Sequence, residues 1–154
     1  MAEQMRITRL PHAEGLPMPT RKTAQAVGFD LAAAVPSERP VMIGPGKRAL
    51  IDTGFVVAIP AGLEGQVRPR SGLALEYGLT VLNAPGTVDA DYRGELKVLL
   101  VNHGDETVMV NRGMRIAQLV VARLADVVEI EVGKLADIGN TGRGAGGFGS
   151  TGFG

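Results

Sequence analysis

Glycine and proline break this chain so often that no long helix can be written through it. The 22 glycines and 9 prolines amount to about one residue in five, and both punctuate regular structure. Between them lie short runs rich in β-branched and aliphatic residues. They are Met5–Leu10, Phe29–Ala34, Lys47–Asp52, Phe55–Ile59, Leu63–Arg68, Leu79–Leu82, Glu95–Val101, Thr107–Val110, Ile116–Arg123 and Val127–Val132. Turn signals separate many of them: Gly44-Pro45-Gly46, Pro60-Ala61-Gly62, His103-Gly104-Asp105 and Asn111-Arg112-Gly113. Many short strands at this spacing predict an all-β sandwich or barrel. No helix-period segments alternate with them, which argues against a doubly wound parallel sheet.

One segment differs. Ser71–Gly78 reads as a short helix, with Ser71 at a plausible N-cap and Gly78 as its C-terminal stop. No internal repeat is evident, and low complexity is confined to the stretch from about Gly139 onward.

Composition narrows the function classes. A chain of 154 residues is one ordinary domain, able to bury roughly 70% of its unfolded surface without a covalent staple. With no cysteine, disulfides, thiolate zinc sites and a cysteine nucleophile are excluded. The two histidines, His12 and His103, lie in unrelated segments, which argues against a histidine metal site or a Ser-His-Asp triad. Sixteen basic and sixteen acidic residues cancel, so bulk charge provides no reason to expect nucleic-acid binding. A small anion held by a few placed cations remains compatible. No apolar run exceeds five residues, against the roughly 18 that span a bilayer. Residues 1–11 carry no hydrophobic signal core. The default expectation is a cytoplasmic protein without a membrane partner.

Five segments carry chemistry. In the tail, residues 142–154 hold seven glycines, Arg143 and two phenylalanines. Gly144-x-Gly146-x-x-Gly149 matches a dinucleotide fingerprint on paper, but that fingerprint needs a preceding strand and a following helix, and only five residues follow Gly149. A P-loop would need lysine where Ser150 stands. The tail reads either as plain disorder or as a lid. Its guanidinium, aromatic ring, hydroxyls and open backbone N–H groups suit a planar, anionic ligand.

The second segment, Asn83-Ala-Pro-Gly-Thr-Val-Asp-Ala-Asp-Tyr-Arg-Gly-Glu95, holds three carboxylates, an arginine and a tyrosine. It reads as a solvated hairpin tip or as residues aimed by two flanking strands. On an extended run Asp89 and Asp91 would share one face, and Ala90 and Tyr92 the other. In the third segment, Arg70, Ser71 and Gly72 stand at the start of the short helix, where an anion could sit; Ser71 could equally be only a cap. The fourth places Arg115 and Gln118 in an apolar strand, where each is either a structural group or a ligand contact. The fifth places Asp30 inside the apolar run Val27–Leu31, as a turn or salt-bridge residue or beside a metal.

These five segments, in this order, resemble the five motifs of the trimeric dUTP diphosphatases (dUTPases), over Gly28 to Gly152. Val27, where the family more often has a small residue, and Val88, in place of the commoner isoleucine, are apolar departures. The resemblance implies a jelly-roll sandwich, residues 1–138, and a flexible C-terminal lid, residues 139–154, in a homotrimer with shared active sites. It implies hydrolysis of dUTP to dUMP and pyrophosphate, which limits uracil in DNA and supplies dUMP for thymidylate synthesis. By resemblance, Asp89 is the base that activates water, and Ser71 donates to the oxygen between the α and β phosphorus. Arg70, Gly72 and Gln118 position the phosphates. Asn83, Thr87 and Val88 read uracil, and Tyr92 packs on the deoxyribose and excludes a ribose 2′-hydroxyl. In the lid, Arg143 pairs with the γ-phosphate, Phe148 stacks on uracil, and Gly149, Ser150 and Thr151 wrap the phosphates. Mg²⁺ is the implied cofactor, held mainly by substrate phosphates, with Asp30 reaching it through water. Thirteen extended tail residues span roughly 43–47 Å at about 3.3–3.6 Å each, enough to reach a neighbouring subunit. Two rivals stand beside this reading: a dCTP deaminase, sharing the jelly-roll trimer, and a non-catalytic jelly-roll module.

Overall fold

The computed structural model describes residues 3–147. Its strands, in chain order, are β1 (Arg6–Arg9), β2 (Phe29–Ala32), β3 (Val41–Ile43), β4 (Arg48–Ala58), β5 (Leu63–Arg68), β6 (Leu79–Val81), β7 (Gly86–Val88), β8 (Glu95–Asn102), β9 (Val108–Val110) and β10 (Arg115–Arg123). One helix, α1 (Ser71–Tyr77), joins β5 to β6, and single 3-10 turns lie at Pro11–Ala13 and Leu135–Ile138. The chain divides into two units, Met1–Leu124 and Ala125–Gly154.

The first unit is an all-β jelly-roll sandwich. One sheet has the order β1-β4-β8-β6, a second β2-β10-β5-β7, and β3 pairs with β9 in a small third sheet. Every pairing is antiparallel. Alternation decides which side chains point inward. In β8, Leu96, Val98 and Leu100 are buried while Lys97 faces out. Ile51, Val57 and Leu100 of one sheet join Leu31, Val67 and Leu119 of the other in one apolar cluster. Each such aliphatic side chain contributes about 1.5–3 kcal/mol by leaving water.

Three expectations change. Lys47–Asp52 and Phe55–Ile59 are one strand, β4, whose register against β8 shifts between Asp52 and Val56. Gly54 makes this bulge possible: its φ is +72°, and a Cβ there would lie 2.1 Å from the Cβ of Ala13. Thus the 3-10 turn packs directly on the bulge, and the Leu10 N–H donates to Gly54 O at 2.8 Å. Next, β3 and β7, of three residues each, lie outside the runs read from the sequence and exist through their pairing with β9 and β5. Finally, Val127–Val132 is not a strand. It alternates in sequence, yet its residues are exposed and outside any described ladder. Alternation alone is insufficient, because a strand also needs a partner backbone to accept and donate its hydrogen bonds.

Helix α1 is placed as expected, but its start is not. Arg70 holds the N-cap position with φ −99° and ψ 126°, without a side-chain cap bond. Ser71 is the first helical residue, exposed, and its hydroxyl does not cap the helix. Gly78 ends the helix in the left-handed region at φ 64°. A Cβ at Gly78 would sit 2.4 Å from Gly104 N, so close approach to the β8–β9 turn also demands glycine.

That turn is organised by Asn102, which is fully buried. Its amide donates to Ile43 O at 2.8 Å and Glu106 O at 2.7 Å, and its Oδ1 accepts from Gly104 N at 2.8 Å. An Asn102→Ala variant strands these groups and should lose about 2–4 kcal/mol of stability. A urea-denaturation midpoint measures this loss, and a wild-type midpoint would contradict the assigned role.

Candidate active site

Register brings the first set of polar residues together. Gln118 of β10 lies opposite Asp30 of β2 on one side and Arg68 of β5 on the other. Its Nε2 donates to Pro69 O at 3.0 Å, tying the strand to the entrance of α1. Gly28 is glycine for a steric reason, since a Cβ there would lie 2.1 Å from Gln118 Oε1. Asp30 accepts from Arg115 Nη1 at 2.9 Å, and Arg70 Nε stands 3.8 Å from its other oxygen. Arg70 Nη1 also donates to Arg115 O at 2.9 Å. Two guanidiniums therefore bracket one carboxylate, whose side chain is 17% exposed. The resemblance singled out Asp30, Arg70 and Gln118; the part of Arg115 as the close partner of Asp30 comes from the fold. Ser71 and Gly72 follow on the exposed start of α1. Nothing lies within 4 Å of a Cβ built on Gly72, so no packing within the chain requires glycine there.

The second set lines a cavity of about 310 Å³: Asn83, Thr87, Val88, Asp89 and Tyr92, together with Glu95. Strand β7 supplies Thr87 and Val88, pairing with β5 through Gly65↔Val88 and Val67↔Gly86. Asp89 begins a turn, because the Tyr92 N–H donates to Asp89 O at 3.1 Å. This corrects the extended reading of 89–92, so pleat alternation does not sort Asp89 and Asp91 from Ala90 and Tyr92. The Tyr92 hydroxyl donates to Glu95 O at 3.0 Å. Arg93 Nη1 donates to Ala90 O and Tyr92 O, each at 2.7 Å. A Cβ on Gly94 would meet the Tyr92 hydroxyl oxygen at 2.3 Å, so the tyrosine lies over that glycine. Among the described residues, no side-chain hydrogen bond joins the Asp30–Gln118 set to the Asp89–Tyr92 set.

In the second unit, Arg143 is exposed, and its Nε donates to Gly146 O at 2.8 Å. Phe148, Gly149, Ser150 and Thr151 lie outside the described residues.

A further polar group has no counterpart in the sequence reading. His12 Nε2 is 2.7 Å from Glu95 Oε1, which also accepts from Gly54 N at 2.7 Å. Lys97 Nζ is 2.8 Å from Asp52 Oδ1 and 3.8 Å from Glu95 Oε2. The Asp52 carboxylate, by hydrogen bond and charge, holds the Lys97 ammonium above its ordinary pKa. His12 and Glu95 are 83 positions apart, so no local spacing announces the pair.

The donor chemistry around Asp30 can be tested against a divalent ion. A hard carboxylate oxygen suits Mg²⁺, which retains several waters and uses few protein carboxylates. One carboxylate already faced by two arginines cannot form an all-protein cage. It fits an ion whose remaining oxygens come from phosphates and water.

The dUTPase family model matches residues 14–152. The deoxyuridine 5′-triphosphate nucleotidohydrolase of Mesorhizobium japonicum is 62% identical over 144 residues, covering 94% of this chain and 88% of that protein. Its counterpart in Rhizobium meliloti is 59% identical over 146 residues, covering 95% and 89%. A dUTPase of Staphylococcus bacteriophage 80alpha, solved with dUpNHpp, superposes with a TM-score of 0.82 at 23% identity, over 99% of this chain and 100% of that one. At that identity the likeness shows the fold alone. Another dUTPase, from phage phi11 of S. aureus, whose structure describes a structural Mg(II) ion, superposes with a TM-score of 0.75 at 23% identity, over 87% and 99%.

Proposed function

This chain belongs to the dUTPase family, and from that membership we infer an enzyme that hydrolyses dUTP to dUMP and pyrophosphate. Within that activity, we propose the division of labour that follows. One observation carries it: the carboxylate, amide and aromatic groups needed around a nucleoside and its attacking water line one cavity, while Arg70 and Gln118 gather separately around Asp30.

The Asp89 carboxylate orients a water and takes its proton as the oxygen attacks the α-phosphorus in line. The bond from the α-phosphorus to the bridging oxygen breaks, and its electron pair leaves with pyrophosphate. A carboxylate is a weak base, so the phosphorus must be made more electrophilic. A bound Mg²⁺ would supply that charge neutralisation. Asp30 is the residue that would hold its water shell. Ser71, freed from capping, donates to the bridging oxygen where negative charge grows. Such placed donors contribute about 3–4 kcal/mol in other enzymes.

Arg70 and Gln118 position the phosphate chain, and exposed Gly72 leaves its backbone approachable. Arg70 stands only loosely on Asp30 at 3.8 Å, so a triphosphate can compete for its guanidinium, whose fork suits phosphate oxygens. Asn83, with Thr87 and Val88, reads the uracil edge. Tyr92, held over Gly94, packs against the deoxyribose where a 2′-hydroxyl would clash.

We further propose that the active form is a homotrimer in which three chains complete each site. One supplies Asp30, Arg70–Gly72 and Gln118; a second supplies Asn83–Tyr92; the third supplies residues 139–154 as a lid. Arg143 then meets the γ-phosphate, Phe148 stacks on uracil, and Gly149, Ser150 and Thr151 wrap the phosphates. Closure would exclude other water and strengthen each charge contact. No described helix is long and apolar enough to cross a membrane.

Pyrophosphate release should be measured from dUTP, dCTP, dTTP and UTP with and without Mg²⁺. Expected is release from dUTP, dependent on the ion, and at least about 100-fold less from UTP, as a steric exclusion can impose. Uracil nucleotide formed from dCTP would favour the deaminase reading, and failure to release pyrophosphate from any of them would favour a binding module.

A further inference from the structure

We propose that Glu95 is a positioning residue, whose carboxylate fastens the Asp89–Gly94 turn to the β4 bulge and to the N-terminal 3-10 turn. The proposal rests on the roles given above to Asp89 and Tyr92. The turn's other side-chain bonds are local: Tyr92 to Glu95 O, and Arg93 to Ala90 O and Tyr92 O. Ala90 packs the turn against the core, while the exposed Asp89, Asp91, Tyr92 and Arg93 depend on how its two ends are held. Its N-terminal end is gripped by the β7–β5 ladder through Val88. At its C-terminal end, Glu95 pairs with Val56 just past the β4 bulge. There the Glu95 side chain is only 12% exposed, and one oxygen accepts from both Gly54 N and His12 Nε2 at 2.7 Å.

Both anchors are themselves fixed. Gly54 packs on Ala13 at a distance no other residue permits. The 3-10 turn is tied by Arg112, which donates to His12 O at 2.9 Å and Glu14 O at 2.8 Å. The backbone carbonyl of Glu95 is also the acceptor that orients the Tyr92 hydroxyl. One residue therefore connects the rigid β4 bulge to the ring proposed to exclude ribose and to the turn that begins with the proposed base. A displacement of about 1 Å at a reacting group is enough to cost up to 100-fold in rate.

The ligand-type atoms of His12, Asp52 and Glu95 lie within 4.8 Å of one another, the spacing of an ion site. Each already has a partner inside the protein, however: His12 with Glu95, Glu95 with Gly54 N, and Asp52 with Lys97. These bonds close the set on itself as a strut.

The test compares Glu95→Ala, Glu95→Gln and His12→Ala in the full chain. Amide exchange is read at Gly54 and Tyr92, and turnover is read on dUTP and UTP. In Glu95→Ala, exchange at both amides should accelerate at least about tenfold. Turnover of dUTP should fall about tenfold, and the dUTP/UTP ratio should fall about fivefold. A ratio is unaffected by the fraction of folded protein, so a merely structural role would leave it unchanged. Glu95→Gln retains the accepting oxygen and should stay within about twofold of wild type on every readout. His12→Ala, which spares the Gly54 bond, should fall between them and keeps the test readable if Glu95→Ala does not fold. Unchanged Tyr92 exchange, an unchanged dUTP/UTP ratio, or a glutamine variant as impaired as alanine would overturn the proposal. Full turnover by Asp89→Asn would instead remove the catalytic assignment and leave the exchange result standing.

Discussion

Asp89→Asn should slow dUTP hydrolysis by about 10²–10⁴-fold, the contribution typical of a positioned base, with dUTP affinity nearly unchanged. The substitution preserves size and removes only the basic oxygen's charge. It should not disturb the fold, because the Asp89 side chain is exposed and its place in the turn depends on its backbone carbonyl. The loss should therefore appear in kcat, with KM and thermal midpoint close to wild type. Binding of a non-hydrolysable dUTP analogue, measured calorimetrically, separates the two outcomes. An unchanged rate would take Asp89 out of the mechanism, and a large loss of affinity would make it a binding residue.

The second large effect is a recovery. Chains carrying Asp89→Asn and chains truncated after Gly139 should each be nearly inactive alone. Mixed as dissociated subunits in equal amounts and reassembled, they should regain activity. At random assortment, about a quarter of sites would draw an intact hairpin from a truncated chain and an intact tail from an Asp89→Asn chain. Activity after mixing should approach that fraction of wild type. Mixed trimers without recovered activity would mean that one chain supplies both parts of each site. This tests the subunit arrangement independently of the rate test, since it depends on which chain carries each part.

The fold's legibility followed the range of the interaction. Gly78 was readable as a helix stop because the left-handed residue it supplies is a local matter. The strand runs were readable because inward and outward positions alternate along one strand, as in Leu96, Lys97 and Val98. The same reasoning failed where a partner decides. Val127–Val132 alternates yet joins no described ladder, and β3 is a strand because β9 lies beside it. Ser71 resembled a cap in sequence, but the chain enters α1 through extended Arg70.

The same division holds at the site. The resemblance picked Asp30, Arg70, Asn83, Asp89, Tyr92 and Gln118 as chemistry-bearing residues, and the fold sorts them into two sets. It could not find Arg115 against Asp30, 85 positions away, or Glu95 on Gly54, 41 positions away. Those contacts depend on strand register and on a bulge, and a one-residue slip would turn the side chains to the opposite face. By itself, then, the sequence determined the punctuated all-β architecture and the single short helix, and it supplied the residues proposed as reactive. Tertiary structure alone decided that two runs are one bulged strand, that Asp89 begins a turn, and that a distant histidine meets Glu95. The reason is physical: turn chemistry and periodicity act within a few residues, whereas register and close packing exist only once distant backbones have met.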